Sequence, residues 1–516
     1  MYEGLMATLS TTRNPSTRTR AVPHALDTRV ALAILALAAI CMRLGALWTE
    51  QIDWDEWSFI LMGADVAQGH LPFVHQFDLK PPLVFMLVGA TIALFGKSLV
   101  AVRLLGTLCV LAAASFVFLT ARRVAPARAA LAGGLITIAL ASASFGLATS
   151  SELPAIAFLG AALWRLGRSP LSLGEAFAGG LLVCLAVLTR TNLAVVALAL
   201  GLLLLGASLI RKSAVPRLAW LAYGIGGLTP LALLIACYAA AGELATLKLA
   251  MIDVPLAYSG QLTALEVAKS HALQLYYTAS EAPLLYLPAA ALAGIGSAFA
   301  LLRLSRPESD EERWLLLVVL TAALAVTGSL LIGGAAYPHY WLQLVPFAGF
   351  LAALAVAGAT RASRAVGASA GVLVLLPVAV TLASSLTQAP ASYRSDRPIV
   401  RAASYIRQAG GEHPTVWALH KHLVHWYLDA PQLSRASVHP DNLGRRAIID
   451  TLAAHGYVSH NEVGRLMARR PEFVVTDAGG KGVAWVRATG VDVDRWLAAN
   501  YREEVRFGDV VVLRRR

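Results

Sequence analysis

The chain has 516 residues, 57% hydrophobic and 14% charged, with a mean hydropathy of +0.63. Soluble domains carry about 25% charged residues, so this balance excludes an ordinary soluble protein and indicates a polytopic membrane protein. The net charge of +12 is Arg and Lys at helix ends plus a basic tail; it reports topology and speaks against a nucleic-acid partner.

The first 28 residues carry Arg13, Arg18 and Arg20 among Ser, Thr and Pro, and no small-residue cleavage site follows promptly. They read as a disordered basic arm in the cytoplasm, ahead of an uncleaved first membrane helix. A span needs roughly 20 mostly apolar residues. The candidate segments are 29–48, 99–121, 129–149, 153–167, 173–189, 191–210, 218–240, 283–302, 314–332, 341–359 and 366–386. They make a mainly α transmembrane domain of about eleven spans over residues 29–386. Cys41, Cys109, Cys184 and Cys237 all lie within these segments, in no disulfide framework or zinc spacing.

Basic clusters test the order of the spans. With the arm inside, Arg122/Arg123/Arg128, Arg165/Arg168, Arg211/Lys212/Arg217, Arg303/Arg306/Arg313 and Arg361/Arg364 all fall on cytoplasmic connections, provided that residues 83–95 do not cross. That run is short for a hydrocarbon core of about 30 Å, and Pro81-Pro82 and Gly96 bracket it. It is expected as a helix on the outer leaflet, within a first outer loop at 49–98. Parity then places residues 387–516 outside the membrane. There the periodicity predicts helices at 397–409, 461–469 and 494–500, strands at Val416–Leu419 and Phe473–Thr476, and a closing hairpin around Gly508-Asp509. These form a small soluble α/β domain.

Ile52-Asp53-Trp54-Asp55-Glu56-Trp57 directly follows the first span. Its three carboxylates have to sit at the water interface, because a charge at the bilayer centre costs about 2.5–3.5 kcal/mol on insertion scales. Lys80 follows in Asp78-Leu79-Lys80-Pro81-Pro82, and Arg103, read as structural, lies beyond. Acid, cation and aromatics at a membrane surface suit an anionic lipid head group; a loop whose charges set topology alone is the plainer alternative. Arg190, in Leu188-Thr189-Arg190-Thr191-Asn192, breaks the positive-inside trend and calls for a local partner, to which a phosphate's oxygens are suited. His420, His422 and His425 lack a fourth ligand at zinc spacing. The loop 241–282, with Asp253, Tyr258, His271, Tyr276 and Tyr277, reads as amphipathic.

The order Asp55-Glu56-Trp57, Gly69-His70-Leu71-Pro72, Asp78-x-Lys80-Pro81-Pro82, Leu94-Phe95-Gly96-Lys97-Ser98, Val102-Arg103-Leu104 resembles the first outer loop of GT-C membrane glycosyltransferases. Within these it is similar to the protein O-mannosyltransferase and lipid A aminoarabinose transferase groups. The resemblance covers about residues 29–210 and returns at Tyr337-Pro338-His339-Tyr340 through Pro346. It implies an inverting transfer of sugar from a polyprenyl phosphate donor to a lipid, glycan or protein acceptor. The implied place is the outer face of the cell (inner) membrane, under the C-terminal domain. The resemblance puts Asp55 in the role of base or acceptor-orienting group, with Glu56 second. Asp53 is an additional acid, which leaves open which aspartate is catalytic. Lys80 takes the position that contacts the lipid phosphate. Glu152 takes a second acidic position, steering the acceptor or ligating a divalent metal with Asp55, and His339 and Tyr340 lie near the donor.

The chemistry asks for the same parts: a carboxylate to deprotonate or orient the acceptor, and positive charge where the departing phosphate becomes more negative. A transporter or flippase of lipid-linked substrates is the alternative, but it would place polar residues at the bilayer midplane and show paired repeats. A non-catalytic assembly protein of this fold is the third reading.

Overall fold

The computed structural model describes residues 26–516 except 211–213, 259–262, 333–335 and 412. The basic arm up to residue 25, Arg211, Lys212 and the Gly333-Gly334 pair lie outside the described residues.

Helices run in the order α1 (Thr28–Arg43), α2 (Trp54–Ala67), α3 (Pro82–Phe95), α4 (Leu99–Ala121), α5 (Ala127–Ala141), α6 (Glu152–Leu166), α7 (Leu173–Val187), α8 (Ala194–Leu209) and α9 (Ala219–Ala240). Long helices at Pro283–Ser305, Asp310–Ile332, Val345–Ala362 and Arg364–Tyr393 complete the bundle. Every expected span holds a helix, and among the described residues eight helices are long and apolar enough to cross a membrane. The other three, α5, α6 and α7, have 15 residues each, about 22 Å of rise. The expected span 129–149 is thus too long. Its helix ends at Ala141, and the buried Arg43 guanidinium takes the freed carbonyls, donating to Ala141 O at 3.0 Å, Leu147 O at 2.9 Å and Gly146 O. The last long helix also overruns its expected end, continuing from 386 to Tyr393.

The run 83–95 forms α3, 14 residues that start at Pro82 and stop at Gly96, where φ is +70°. It packs back on α2 through a close crossing of Gly63 and Gly89: a Cβ on Gly63 would lie 2.7 Å from Val88 Cγ1, and one on Gly89 2.7 Å from Val66 Cγ1. Its far end bears the exposed Leu94 and Phe95, as suits a helix lying against lipid.

The C-terminal part shares one apolar core with the first outer loop: Ile399, Ile406, Trp417, Leu452 and Phe473 belong to the same cluster as Trp57, Phe59, Phe77 and Phe85. A four-stranded sheet has the order β1-β2-β4-β3, with β1 at Val416–Ala418, β2 at Phe473–Asp477, β3 at Tyr501–Phe507 and β4 at Val510–Arg515. β1 and β2 are parallel, and β3 and β4 form the hairpin around Gly508-Asp509, with a register shift between Glu503 and Val505. This part rests on the loop that carries α2 and α3. The Glu50 carboxylate accepts the Ile399 and Val400 N–H groups at 2.9 and 3.1 Å. Phe77 donates its N–H to Arg435 O at 2.7 Å and accepts from Asn442 Nδ2 at 2.8 Å. Lys97 donates to Trp426 O at 3.0 Å, and Tyr457 O–H donates to Phe73 O.

Candidate active site

Asp53 caps α2: its carboxylate accepts the Asp55 N–H at 3.0 Å, the ordinary work of an N-cap aspartate. With the helix start fixed there, Asp55 and Glu56 lie in the first turn, where the helix dipole favours negative charge. Successive helical residues are about 100° apart, so the two acids face different surroundings.

Glu56 turns to α4. It is fully buried and accepts from Arg103 Nε at 2.5 Å, from Arg103 Nη2 and from the Thr149 N–H at 2.7 Å, while Arg103 Nη1 donates to Ala46 O at 2.6 Å. Glu56 is therefore not brought to the cluster described next. Glu56→Ala is expected to leave a buried, unpaired guanidinium, which costs about 3–5 kcal/mol. Loss of folded protein in detergent melts checks this. A Glu56→Ala variant that melts like the unaltered chain would refute the structural role.

Asp55 points the other way. Its Oδ2 lies 2.5 Å from Lys80 Nζ and its Oδ1 3.2 Å from Nε2 of His439, a residue of the C-terminal part. His439 Nδ1 accepts the Asp441 N–H at 3.1 Å, which leaves Nε2 as the nitrogen that donates to Asp55. Burial pushes the Asp55 carboxyl up, but the Lys80 ammonium and His439 outweigh it and hold it well below the usual carboxylate range. In Lys80, burial opposes the charge, and Asp55 and Asp78 outweigh that and raise its pKa. His439 follows the same pattern: burial lowers it, and the bond to Asp55 carries it above its ordinary value. Asp53 is shifted up, by burial and then by the neighbouring Asp55 charge.

The second half of the cluster comes from helix ends. Glu152 opens α6, and Arg190 sits between α7 and α8. Arg190 Nη1 lies 3.1 Å from Glu152 Oε1, and the guanidinium lies 4.4 Å from the Tyr340 ring centre. His339 links the halves, with Nε2 3.8 Å from Asp55 Oδ2 and 3.9 Å from Glu152 Oε1. His339 Nε2 and Arg190 Nε are buried and make no hydrogen bond. Tyr337 stacks on His339 and accepts from Arg445 Nη2 at 2.5 Å, and the Arg445 guanidinium lies over Tyr258.

The structure thus gathers Asp55, Lys80, Glu152, Arg190, His339 and Tyr340, with Asp53 as their neighbour through the helix cap. Sequence reasoning missed His439 and Asp78, whose buried Oδ2 has no partner. The polar run Ser437-Val438-His439-Pro440-Asp441 before a short helix was the available signal for His439. In this arrangement Lys80 and His439 hold both Asp55 oxygens and Arg190 faces Glu152, so a divalent ion between Asp55 and Glu152 would have to displace these cations. His420, His422 and His425 are buried with lowered pKa values, His420 and His425 to about 4 by burial first, and they do not converge as a metal site among the described residues. Residues 241–282, expected as an amphipathic loop, are largely helical, at Leu244–Lys248, Val254–Tyr258 and Ala264–Glu281; on the last of these helices Tyr276 and Tyr277 are exposed and His271 meets Leu330 O at 3.2 Å.

Comparison with known proteins places this geometry in a setting. Residues 79–236 match the family model of dolichyl-phosphate-mannose-protein mannosyltransferase. No curated protein matches the chain by sequence. Among solved structures, ArnT from Cupriavidus metallidurans bound to undecaprenyl phosphate superposes with a TM-score of 0.64 at 16% identity, covering 94% of this chain and 98% of that one. The oligosaccharyltransferase of Archaeoglobus fulgidus complexed with zinc and sulfate gives 0.52 at 14% identity, covering 92% and 72%. Archaeal AglB from the same organism, with an inhibitory peptide and dolichol-phosphate, gives 0.51 at 13%, covering 94% and 74%. In fold, this multi-pass chain resembles the GT-C membrane glycosyltransferases.

Proposed function

We propose that the chain transfers a sugar from a polyprenyl phosphate donor to a lipid, glycan or protein acceptor, with inversion at the anomeric carbon. The carrying observation is the pairing of a charged carboxylate, Asp55, with Lys80 beneath a roof that supplies His439. The acceptor hydroxyl attacks the anomeric carbon, forming the new glycosidic C–O bond as the bond from sugar to phosphate oxygen breaks. Asp55 orients that hydroxyl and receives its proton. The electron pair leaves with the polyprenyl phosphate, whose charge Lys80 and Arg190 neutralise. A phosphate that draws Lys80 toward itself loosens its hold on Asp55 Oδ2, which makes the carboxylate more basic when the donor is in place.

The unpartnered His339 Nε2 and Arg190 Nε are donors left for substrate oxygens. The lipids bound in the related structures, undecaprenyl phosphate and dolichol-phosphate, are polyprenyl phosphates of the kind that the proposed donor would release. The site faces the outer leaflet of the cell (inner) membrane, with the N-terminus in the cytoplasm and residues 387–516 outside. Charged groups gather at helix ends near Asp55 rather than at a broken midplane helix, which favours surface chemistry over transport.

Native mass spectrometry of the purified chain is expected to find a co-purifying polyprenyl phosphate sugar, or to detect one added back at one equivalent. Retention of neither the glycosylated nor the free lipid phosphate would sink the reading.

A further inference from the structure

A second constellation lies at the other end of α2, ten residues and about 15 Å of helix rise beyond Asp55. Asp65 stands in the last turn of α2, and the chain then turns at Gly69, with φ +95°. His70 Nδ1 lies 2.8 Å and His75 Nδ1 3.1 Å from the same Asp65 oxygen, Oδ1, and the three ligand atoms lie within 4.8 Å of one another. The two imidazoles meet edge to face, 4.1 Å between centres. Buried Phe73, which itself holds φ at +69°, anchors the loop between them.

Two hydrogen bonds to one carboxylate oxygen are one way to use this geometry. A tetrahedral zinc ion is another: ligand bonds of about 2.0–2.2 Å put neighbouring ligand atoms a little over 3 Å apart, close to the spacings present here. Inserting the ion requires the two Asp65–imidazole spacings of 2.8 and 3.1 Å to open by tenths of an ångström and the Nδ1 protons to leave. The side chains are 40% and 46% exposed for His70 and His75 and 12% for Asp65, which leaves a route in from solvent and a fourth position for water. The donor set of two imidazoles and one carboxylate suits zinc among the divalent ions, where calcium and magnesium prefer oxygens alone.

We propose that Asp65, His70 and His75 form a zinc site that ties the end of α2 to the loop leading to Lys80. The site is separate from the Asp55 cluster and would hold the two strands of chain that carry Asp55 and Lys80 in fixed relation. It does not rest on the transfer reading.

The test uses the full-length protein in detergent, stripped with a chelator and titrated with zinc chloride. One equivalent bound and a higher Tm are expected for the unaltered chain, and equally for Asp55→Asn. His70→Ala and His75→Ala are each expected to weaken zinc binding by more than the roughly 10–100-fold that follows loss of a hydrogen-bond partner behind a metal ligand. Their metal-free Tm should stay close to that of the unaltered chain, since both side chains are half exposed. No stoichiometric zinc on the unaltered chain, unchanged binding in both histidine variants, or binding lost in Asp55→Asn would each overturn the proposal.

Discussion

Asp55→Asn is expected to lower transfer by about 10²–10⁴-fold, the usual cost of removing a positioned base, while the protein still inserts and keeps its lipid donor. Asparagine preserves the shape of the side chain and removes its charge. Lys80 at 2.5 Å and His439 at 3.2 Å then lose their counter-ion, and the acceptor proton has no carboxylate to go to. Asp53→Asn is the comparison that decides between the two aspartates. Its carboxylate caps α2, and asparagine caps helices about as well as aspartate, so the milder effect is expected there. Rates measured with a saturating donor, beside lipid retention by mass spectrometry, separate chemistry from binding. A wild-type rate for Asp55→Asn removes the catalytic assignment, and a dead Asp53→Asn with a live Asp55→Asn moves it by two residues.

The second large effect concerns donor binding. Lys80→Ala and Arg190→Ala are each expected to weaken it, and the double variant to lose less than the sum, because groups that share one ligand couple by about 0.5–3 kcal/mol. Lys80 on Asp55 and Arg190 on Glu152 flank His339, whose Nε2 lies 3.8 and 3.9 Å from those two acids, and one donor phosphate is proposed to lie between the two cations. Each substitution also strands an acid, Asp55 or Glu152, so the melting temperature of each variant has to be recorded beside its affinity for the donor. Additive losses in well-folded variants would mean that the two cations serve different ligands.

Much of this site was legible because it is local in the chain. Asp55 and Lys80 share one loop, and the order of motifs there could be read directly. Arg190 announced itself by breaking the charge pattern, yet its partner Glu152 belongs to a different helix end, and no periodicity joins them. The division of labour between Asp55 and Glu56 was illegible, since it depends on where α4 places Arg103. Asp53 could have been assigned: an aspartate three residues before Glu56 at a helix start is a capping pattern. The run around His439 marked only a helix start, and the role of this histidine stayed unread because it comes from a contact between two parts of the chain far apart in sequence. In the C-terminal part the strands and the helices near 397–409, 461–469 and 494–500 followed from alternation and turn residues, with ends off by a residue or so, whereas the short helices at Val424–Leu428, Pro440–Gly444, Arg446–Ala454 and Lys481–Arg487 were not read.

The seam between the roof and the first outer loop is stitched largely to main-chain atoms: the N–H groups of Ile399 and Val400, both polar groups of Phe77, and the carbonyls of Phe73, Arg435 and Trp426. A hydrogen bond to the backbone does not read the side chain attached to it. The hydrogen bonds themselves would survive a change of side chain, but Phe73, Phe77, Ile399 and Trp426 also fill the core that the two parts share, which leaves the freedom to the half-buried Val400 and the exposed Arg435. Main-chain bonding of this kind is indifferent to sequence, which is one physical route by which a fold can be shared at 16% identity.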